Sequence, residues 1–131
     1  MVKKNFLDCC FIVCGNSKKT YQELSKTYSA IEPPTWALLL AQSTRSFGFK
    51  VNIIDANAEN LSEKDIFNRI KDLSPKLICF IAYGQNVNAG TVNMSGVIHI
   101  ATYLKDKKIN IPMSIIGSHV QALPIETLKK E

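Results

Sequence analysis

The run Phe-Leu-Asp-Cys-Cys-Phe-Ile-Val-Cys at residues 6–14 is apolar at all but one position and is followed directly by Gly15. A strand that is buried on both faces has this pattern, because it has no polar face to alternate with, and such strands belong to parallel sheets. The run Leu-Ile-Cys-Phe-Ile-Ala-Tyr at residues 77–83 repeats the pattern and also ends at a glycine. Shorter strands are predicted at 50–55 and 113–116, so the sequence favours a parallel sheet of four strands.

Helical signals alternate with these strands. Pro33-Pro34 begins a predicted helix that runs to about Phe47 and ends at Gly48, since proline favours the first turn of a helix and glycine the residue after the last. Residues 16–32 have no clear period and are predicted to form a long loop, a feature that is usually functional in a compact domain. The apolar stripe of the predicted helix comprises Trp36, Leu39, Leu40, Ser43 and Phe47.

Three later helices are predicted, each from a start signal or an apolar face. Ser62 and Asp65 have the spacing of a capping box, which marks the start of a helix. The next helix is predicted to follow a loop at 84–90, and a last helix is predicted to begin at Pro124 after a loop at 117–123. The predicted buried face of the longer helix comprises Met94, Val97, Ala101 and Leu104.

This alternation predicts one α/β domain over residues 1–131, with a doubly wound parallel sheet of the Rossmann-like or flavodoxin-like type. Open sheets of this type commonly have five or more strands. The four predicted strands therefore suggest that the last strand or strands are missing. Either the chain is an N-terminal fragment of a longer enzyme, or a partner completes the sheet.

Composition excludes several classes of protein. The 131 residues (14.6 kDa) are 46% hydrophobic and 21% charged, which are globular proportions. No apolar run approaches the ~18 residues that cross a bilayer, and Asp8 interrupts the stretch that resembles a secretory signal. The net charge is +5, but the lysines lie at the ends of predicted elements and no basic helix face is visible. We therefore expect a cytoplasmic protein that contacts neither a membrane nor a nucleic acid.

The four cysteines do not have the spacing of a metal site. Cys9, Cys10 and Cys14 fall in the first apolar run, and Cys79 falls in the third predicted strand. A radical S-adenosylmethionine cluster needs C-x-x-x-C-x-x-C, and Ser17 stands where the third cysteine would be. The four residues are therefore predicted to be reduced thiols in the core, and no metal ligand is assigned to this chain.

Three predicted strands are each followed directly by a glycine, namely Gly15, Gly84 and Gly117. Parallel α/β sheets bind ligands at the carboxyl ends of their strands. A turn explains any one of these glycines, whereas three along one edge favour a large ligand that approaches the backbone closely.

Common small ligands of this architecture each lack a central residue here. The segment after the first strand does not contain G-x-G-x-x-G, so a dinucleotide is not favoured. Cys14 and Tyr83 occupy the positions where a phosphoacceptor receiver would need acidic residues. Asp55 could hold a ribose hydroxyl, although a strand-end aspartate more often caps its own turn. Ser17 and Thr20 give weak support to a flavodoxin-like phosphate loop.

Four segments together resemble the N-terminal cobalamin-binding domain of class B radical S-adenosylmethionine enzymes. Ile-Glu-Pro-Pro-Thr-Trp-Ala-Leu-Leu-Leu-Ala at 31–41 is similar to that family's Pro-Pro-led helix. Gly-Phe-Lys-Val-Asn-Ile-Ile-Asp-Ala at 48–56 is similar to its Gly-x-x-Val strand that ends in Asp-Ala. Tyr-Gly-Gln-Asn at 83–86 resembles its loop after the third strand, and 116–124 resembles its Gly-Gly-Pro-His segment. The resemblance covers about residues 30–131.

The resemblance implies cobalamin as the cofactor, bound at the carboxyl edge of the sheet. Loops 84–90 and 117–123 would form a slot for the nucleotide tail, and the start of the Pro-Pro helix would face the corrin. His119 would bind a hydroxyl or phosphate of the nucleotide tail, or would hydrogen-bond to the backbone of its own loop. His99 is expected to have an ordinary packing role. Trp36 also lies on the predicted apolar stripe, which favours packing in the core. The implied cofactor-binding residues are Gly15, Pro34, Trp36, Gly84, Gln85, Asn86, Asn88, Gly117, Ser118 and His119.

The sequence departs from the family at two places. Ser118-His119 is shorter than the usual Gly-Pro-His, and Cys14-Gly15-Asn16 replaces the frequent Asn-Pro-Pro. No histidine lies between Gly15 and Pro33, so the resemblance implies cobalamin bound without a histidine ligand from that loop. The expected function is cobalamin binding within a radical S-adenosylmethionine enzyme, with a methyltransferase as the expected type. A separate domain, in cis or in trans, would hold the 4Fe-4S cluster and S-adenosylmethionine, and no catalytic residue is assigned here.

Two other functions stay open at this point. A flavodoxin-like binding or interaction module without cobalamin would also fit the predicted fold. A small enzyme that uses Asp55 and His119 as an acid–base pair is the third hypothesis, since both residues follow predicted strands.

Overall fold

The computed structural model describes residues 6–15, 31–84 and 87–130. Its strands are β1 (Leu7–Val13), β2 (Val51–Asp55), β3 (Pro75–Ile81) and β4 (Met113–Ile116). They form an all-parallel sheet in the order β2-β1-β3-β4. This confirms the predicted α/β fold with a parallel sheet. The third strand begins and ends two residues earlier than the sequence predicts.

The described helices are α1 (Thr35–Ser46), α2 (Glu63–Leu73), α3 (Val87–Asp106), α4 (Ser118–Ala122) and α5 (Pro124–Lys130). Two predicted loops are therefore wrong in part. Asn88 and Gly90 lie in the first turn of α3, and most of the segment 117–123 is the short helix α4. The predicted long loop at 16–32 lies mostly outside the described residues.

The sheet is covered on both faces, which makes it doubly wound. On one face, Ala37 and Ala41 of α1 pack with Phe11, Cys79 and Ile81. The other face carries α2 and α3, and its fully buried side chains form the larger core cluster. That cluster includes the predicted face of α3 and comprises Cys10, Ile12, Cys14, Ile54, Ile66, Ile70, Ile78, Phe80, Ala82, Met94, Val97, Ile100, Ala101 and Leu104.

The predicted apolar stripe of α1 is largely wrong. The helix meets the sheet through the two alanines, and Leu40 of the predicted stripe also packs against that cluster, while Trp36, Leu39 and Phe47 are 49%, 58% and 79% exposed. Small side chains four residues apart let a helix approach a sheet closely, so the larger neighbours are rotated outward. Trp36 is consequently not a core residue, contrary to its predicted packing role.

The start of α2 confirms the predicted capping box. The Asp65 N–H donates to Ser62 Oγ at 3.2 Å, and the Ser62 N–H donates back to Asp65 Oδ2 at 3.0 Å. Leu61, just before the cap, packs against the core cluster that contains Ile66, as a hydrophobic staple does. Arg69 of the same helix pairs with Glu59 through both of its terminal nitrogens, at 2.8 and 2.5 Å.

The cysteines are free and buried, as the sequence predicts. Burial raises the pKa of Cys9 to about 11 and that of Cys10 to about 12. His99, by contrast, does not have the predicted packing role, because its ring lies at the surface and pairs with Glu63 of α2. Among the described residues, no helix is both long and apolar enough to cross a membrane.

Candidate functional site

The carboxyl edge of the sheet has a switch point between β1 and β3. The chain leaves β3 for α3 on one face, whereas α1, which follows β1, covers the opposite face. Connections that diverge in this way leave a crevice between the two strand ends, where open α/β sheets bind ligands. We call its two flanks the α1 side and the α3 side.

On the α3 side, helix α3 packs tightly against the end of β1. A Cβ on Gly96 would lie 3.1 Å from the carbonyl oxygen of Gly15 and 3.6 Å from the Cβ of Cys14. The first of these distances is shorter than an ordinary contact, so the helix backbone touches the strand end with no space between them. This flank of the crevice is closed by protein.

The ends of β3 and β4 close the α3 side further. The Ala82 N–H donates to the Ile116 carbonyl at 2.7 Å, and a Cβ on Gly117 would lie 2.7 Å from the Ala82 oxygen. Ser118 Oγ occupies the space where a Cβ on Gly90 would lie, at 2.4 Å. Close packing therefore explains Gly117, and Ser118 lies between the segments 84–90 and 117–123, where it contacts Gly90.

The α1 side is different because it presents aromatic surface. The rings of Trp36 and Tyr83 stack with their centroids 4.8 Å apart and their planes at 28°. Trp36 remains half exposed, and Tyr83 is partly buried next to the α1 face of the sheet. Asn93 of α3 fixes the backbone of Tyr83, since its Nδ2 donates to the Tyr83 carbonyl at 3.1 Å.

Tyr83 is the residue at this edge that the sequence analysis did not assign to the site. Its position as the last residue of the apolar run, directly before Gly84, is the signal that could have identified it. A large aromatic residue at the carboxyl end of a buried strand is placed at the ligand edge of this type of sheet. Its contact with Trp36, 47 positions earlier, is not visible in any local pattern.

The other predicted site residues are distributed unevenly over this edge. Gly15 is exposed at the end of β1, and Pro34 is partly buried at the residue before α1. Gly84 follows Tyr83 and is partly buried. His119 lies in the first turn of α4, beyond the outer strand β4. Gln85, Asn86 and the side chain of Asn88 lie outside the part of the chain that the structure describes.

The sheet separates the strands that carry the two residues of the third hypothesis. Asp55 ends β2 and His119 follows β4, and these are the two outer strands of the described sheet. Three spacings of about 4.8 Å separate these two strands by about 14 Å. The Asp55 carboxylate accepts a hydrogen bond from the Ala58 N–H at 3.0 Å, so it caps its own turn.

Among the described residues, metal-ligating side chains do not cluster at this edge. Cys14 is buried beneath the end of β1, and burial raises the pKa of its thiol to about 12, so it is not a thiolate at neutral pH. Within residues 6–15, 31–84 and 87–130, no group of three or more His, Cys, Asp or Glu residues could hold a metal ion.

Among the described residues, these features define an α/β domain whose switch point is closely packed on the α3 side and carries the exposed ring of Trp36 on the α1 side. Over residues 11–131 the sequence matches the B12 binding domain family, and that range covers most of the chain. The chain belongs to this family, and the match supports cobalamin as its ligand. Neither the curated proteins nor the solved structures include a significant match.

The residues that the structure describes fit such a ligand on the α1 side. A corrinoid needs a broad, partly apolar surface beside the sheet edge. The half-exposed ring of Trp36, which stacks on Tyr83 after the end of β3, provides an apolar surface there for a planar part of the cofactor. Among the described residues, the α3 side is closely packed, because Gly96 and Gly117 lie against backbone atoms and Ser118 Oγ fills the space at Gly90.

Proposed function

We propose that this chain binds cobalamin at the α1 side of its sheet edge and serves as the corrin-binding part of a radical S-adenosylmethionine enzyme. The observation that carries cobalamin binding is the family match over residues 11–131, and the exposed aromatic surface on the α1 side supports the proposed location. Bound cobalamin would supply the methyl-carrying cobalt, so a methyltransferase is the proposed type of enzyme.

The contribution of this chain is to bind and orient the cofactor. The strand ends are rigid, since β1 lies between β2 and β3 and its side chains are largely buried. A rigid edge holds a ligand in one orientation at little cost in conformational entropy. The 4Fe-4S cluster and S-adenosylmethionine belong to another domain, in cis or in trans, which the resemblance at residues 31–41 and 48–56 supports.

We further propose that the lower face of the cobalt has no histidine ligand from this chain. No histidine lies between Gly15 and Pro33 in the sequence, and His119 lies in α4, which follows the outer strand β4 in the chain. The electron paramagnetic resonance spectrum of bound cob(II)alamin tests this, because an axial nitrogen splits the signal. We expect the same spectrum from the native chain and from His119→Ala. Nitrogen splitting that disappears in the variant would contradict the proposal.

The direct test of cofactor binding is a visible-absorption titration with hydroxocobalamin, followed by desalting. We expect the folded chain to retain corrin absorbance, and Gln85→Ala or Asn86→Ala to weaken retention, because the amides of the loop at 84–90 are proposed to hydrogen-bond the nucleotide tail. Asn52→Ala is the matched control, because Asn52 is an exposed residue on the outer strand β2. A chain that circular dichroism shows to be folded, but that leaves the column colourless, would contradict cobalamin binding.

The enzyme context needs a separate test. The coding sequence after Glu131 should continue into a segment with C-x-x-x-C-x-x-C, or a protein with that motif should copurify with the chain. A chain that binds cobalamin but has neither would contradict the radical enzyme while leaving the cofactor assignment intact.

An interaction module without cobalamin is the second candidate, and the surface of α5 favours it. Ile125 and Leu128 are large apolar side chains that lie exposed on this helix. Exposed apolar clusters mark surfaces that contact other proteins. A colourless folded chain would leave this candidate as the better one.

A further inference from the structure

We propose that Trp36 and Tyr83 form a stacking platform for the flat heteroaromatic base of the cofactor's nucleotide tail. The inference rests on the proposed cobalamin binding and deepens it, because it assigns one part of the ligand to one pair of side chains. Neither ring belongs to the larger core cluster, which lies on the opposite face of the sheet.

The geometry of the pair is that of a preformed platform. Centroids 4.8 Å apart with planes at 28° describe stacked rings, in which each ring limits the rotation of the other. One end of the stack is anchored through the hydrogen bond from Asn93 Nδ2 to the Tyr83 carbonyl. The other is carried on the first turn of α1, where Ala37 is buried against the sheet. A platform that is already ordered loses little entropy when a third ring is added.

The exposure of Trp36 indicates where that third ring would lie. Although it stacks on Tyr83, the indole keeps 49% of its surface accessible. It lies on the α1 side, and the tight backbone contacts of Gly96 and Gly117 leave the other flank closed. A third ring that joins the stack would therefore lie on the face of the indole opposite Tyr83.

The cofactor has two ring systems, the corrin and the base of its nucleotide tail, and their shapes decide which one can stack on Trp36. A corrin ring is puckered and carries substituents on both faces, so it cannot lie flat on an indole. The base of the nucleotide tail is planar and conjugated on both faces, which is the shape that stacks well on aromatic side chains. The base is thus the part of the cofactor that the pair would recognise.

The experiment compares cobalamin with cobinamide, which contains the corrin but lacks the nucleotide tail. Equilibrium dialysis gives the dissociation constant of each for the native chain, Trp36→Ala, Trp36→Phe and Tyr83→Ala. Phe47→Ala is the matched control, since Phe47 is an exposed aromatic residue at the other end of the same helix. Circular dichroism confirms that each variant is folded, and Trp36→Phe keeps a ring in place if the alanine variants do not fold.

We expect Trp36→Ala and Tyr83→Ala to weaken cobalamin binding about tenfold, which corresponds to about 1.4 kcal/mol. Trp36→Phe should retain most of the affinity, and cobinamide should bind equally to all variants. Equal weakening of both ligands would overturn the inference, because the pair would then contact the corrin. Unchanged binding of both would overturn it as well. If the native chain binds neither ligand, the proposed function fails along with it.

A second readout does not depend on affinity. Trp36 is the single tryptophan of the chain, so its indole N–H gives one resonance in a nitrogen-15 spectrum. Cobalamin should shift this resonance by the ring current of the stacked base, and cobinamide should shift it much less. Equal shifts with the two ligands would contradict stacking of the base.

Discussion

The two flanks of the sheet edge differ in whether the backbone or the side chains of the covering helix make the contacts. On the α3 side, three glycines hold the helix and the strand ends in direct contact, and side chains fill the core beneath them. On the α1 side, two alanines carry the helix and the large residues lie at the surface. We therefore expect the α3 side to contribute more to stability, and the exposed surface of the α1 side to be the proposed ligand site.

The largest expected effect tests the stabilising role of the α3 side. Phe80 is fully buried there, so Phe80→Ala should lower the free energy of unfolding by about 4 kcal/mol through lost burial and a residual cavity. Leu39 on α1 is 58% exposed, and Leu39→Ala should change stability by no more than about 0.5 kcal/mol. Urea denaturation measures both values. Similar losses for the two variants would remove the distinction between the flanks.

The second prediction concerns the contact at the end of β4. Gly117→Ala would bring a Cβ within 2.7 Å of the Ala82 oxygen and 2.9 Å of its Cβ, so we expect a loss of about 1–3 kcal/mol from overpacking. The φ angle of 174° is extended backbone, hence the cost arises from lack of space alone. Ser95→Ala, an exposed change on α3, is the control in thermal unfolding. A Gly117→Ala variant as stable as this control would show that the edge can open.

The third prediction separates stability from binding at the aromatic pair. Trp36→Ala removes one stacked contact from a half-exposed site, so we expect a loss of about 0.5–1.5 kcal/mol. Urea denaturation of the unliganded variant gives this value. Hydroxocobalamin should then stabilise the native chain more than the variant, because only a ligand that binds the folded state raises the midpoint. A loss as large as that of Phe80→Ala would place Trp36 in the core after all.

The smallest effect is expected at the opposite, amino edge of the sheet, which neither flank includes. Asp8 accepts hydrogen bonds from Lys76 Nζ at 2.7 Å and from the Lys50 N–H at 2.8 Å, and both lower the pKa of its carboxyl group. A lowered pKa in the folded state stabilises the protein above the ordinary pKa of aspartate, and that contribution disappears as the pH falls through the lowered value. The stability difference between the native chain and Asp8→Asn should therefore shrink on acidification below about pH 4. A difference that grows in acid would contradict the pairing.

Local sequence signals predicted the parts of this fold that depend on local physics. The buried strands appear as unbroken apolar runs, and the capping box at Ser62 needs only residues three positions apart. The buried face of α3 follows from its 3.6-residue period, which Met94 and Val97 begin. These predictions are confirmed because the residues that determine each feature lie within a single helix or strand.

The predictions that were wrong concern features that depend on contacts between elements far apart in the chain. The stripe of α1 was assigned to its large residues, but the helix approaches the sheet through Ala37 and Ala41, a preference that depends on the partner surface. The stacking of Trp36 on Tyr83 joins a helix to a strand end and has no local signature. The short helix α4 was missed because the signal of Pro124 marks the helix after it.

The measurement that tests the central claim most directly is hydrogen–deuterium exchange of the chain with and without hydroxocobalamin. Binding at the α1 side should slow exchange in peptides that cover residues 33–40 and 82–84. Exchange at residues 97–106 of α3 should stay unchanged, since that part of the helix packs on the core cluster and not at the proposed site. Protection confined to α3, or no protection at saturating cofactor, would contradict a cobalamin site on the α1 side.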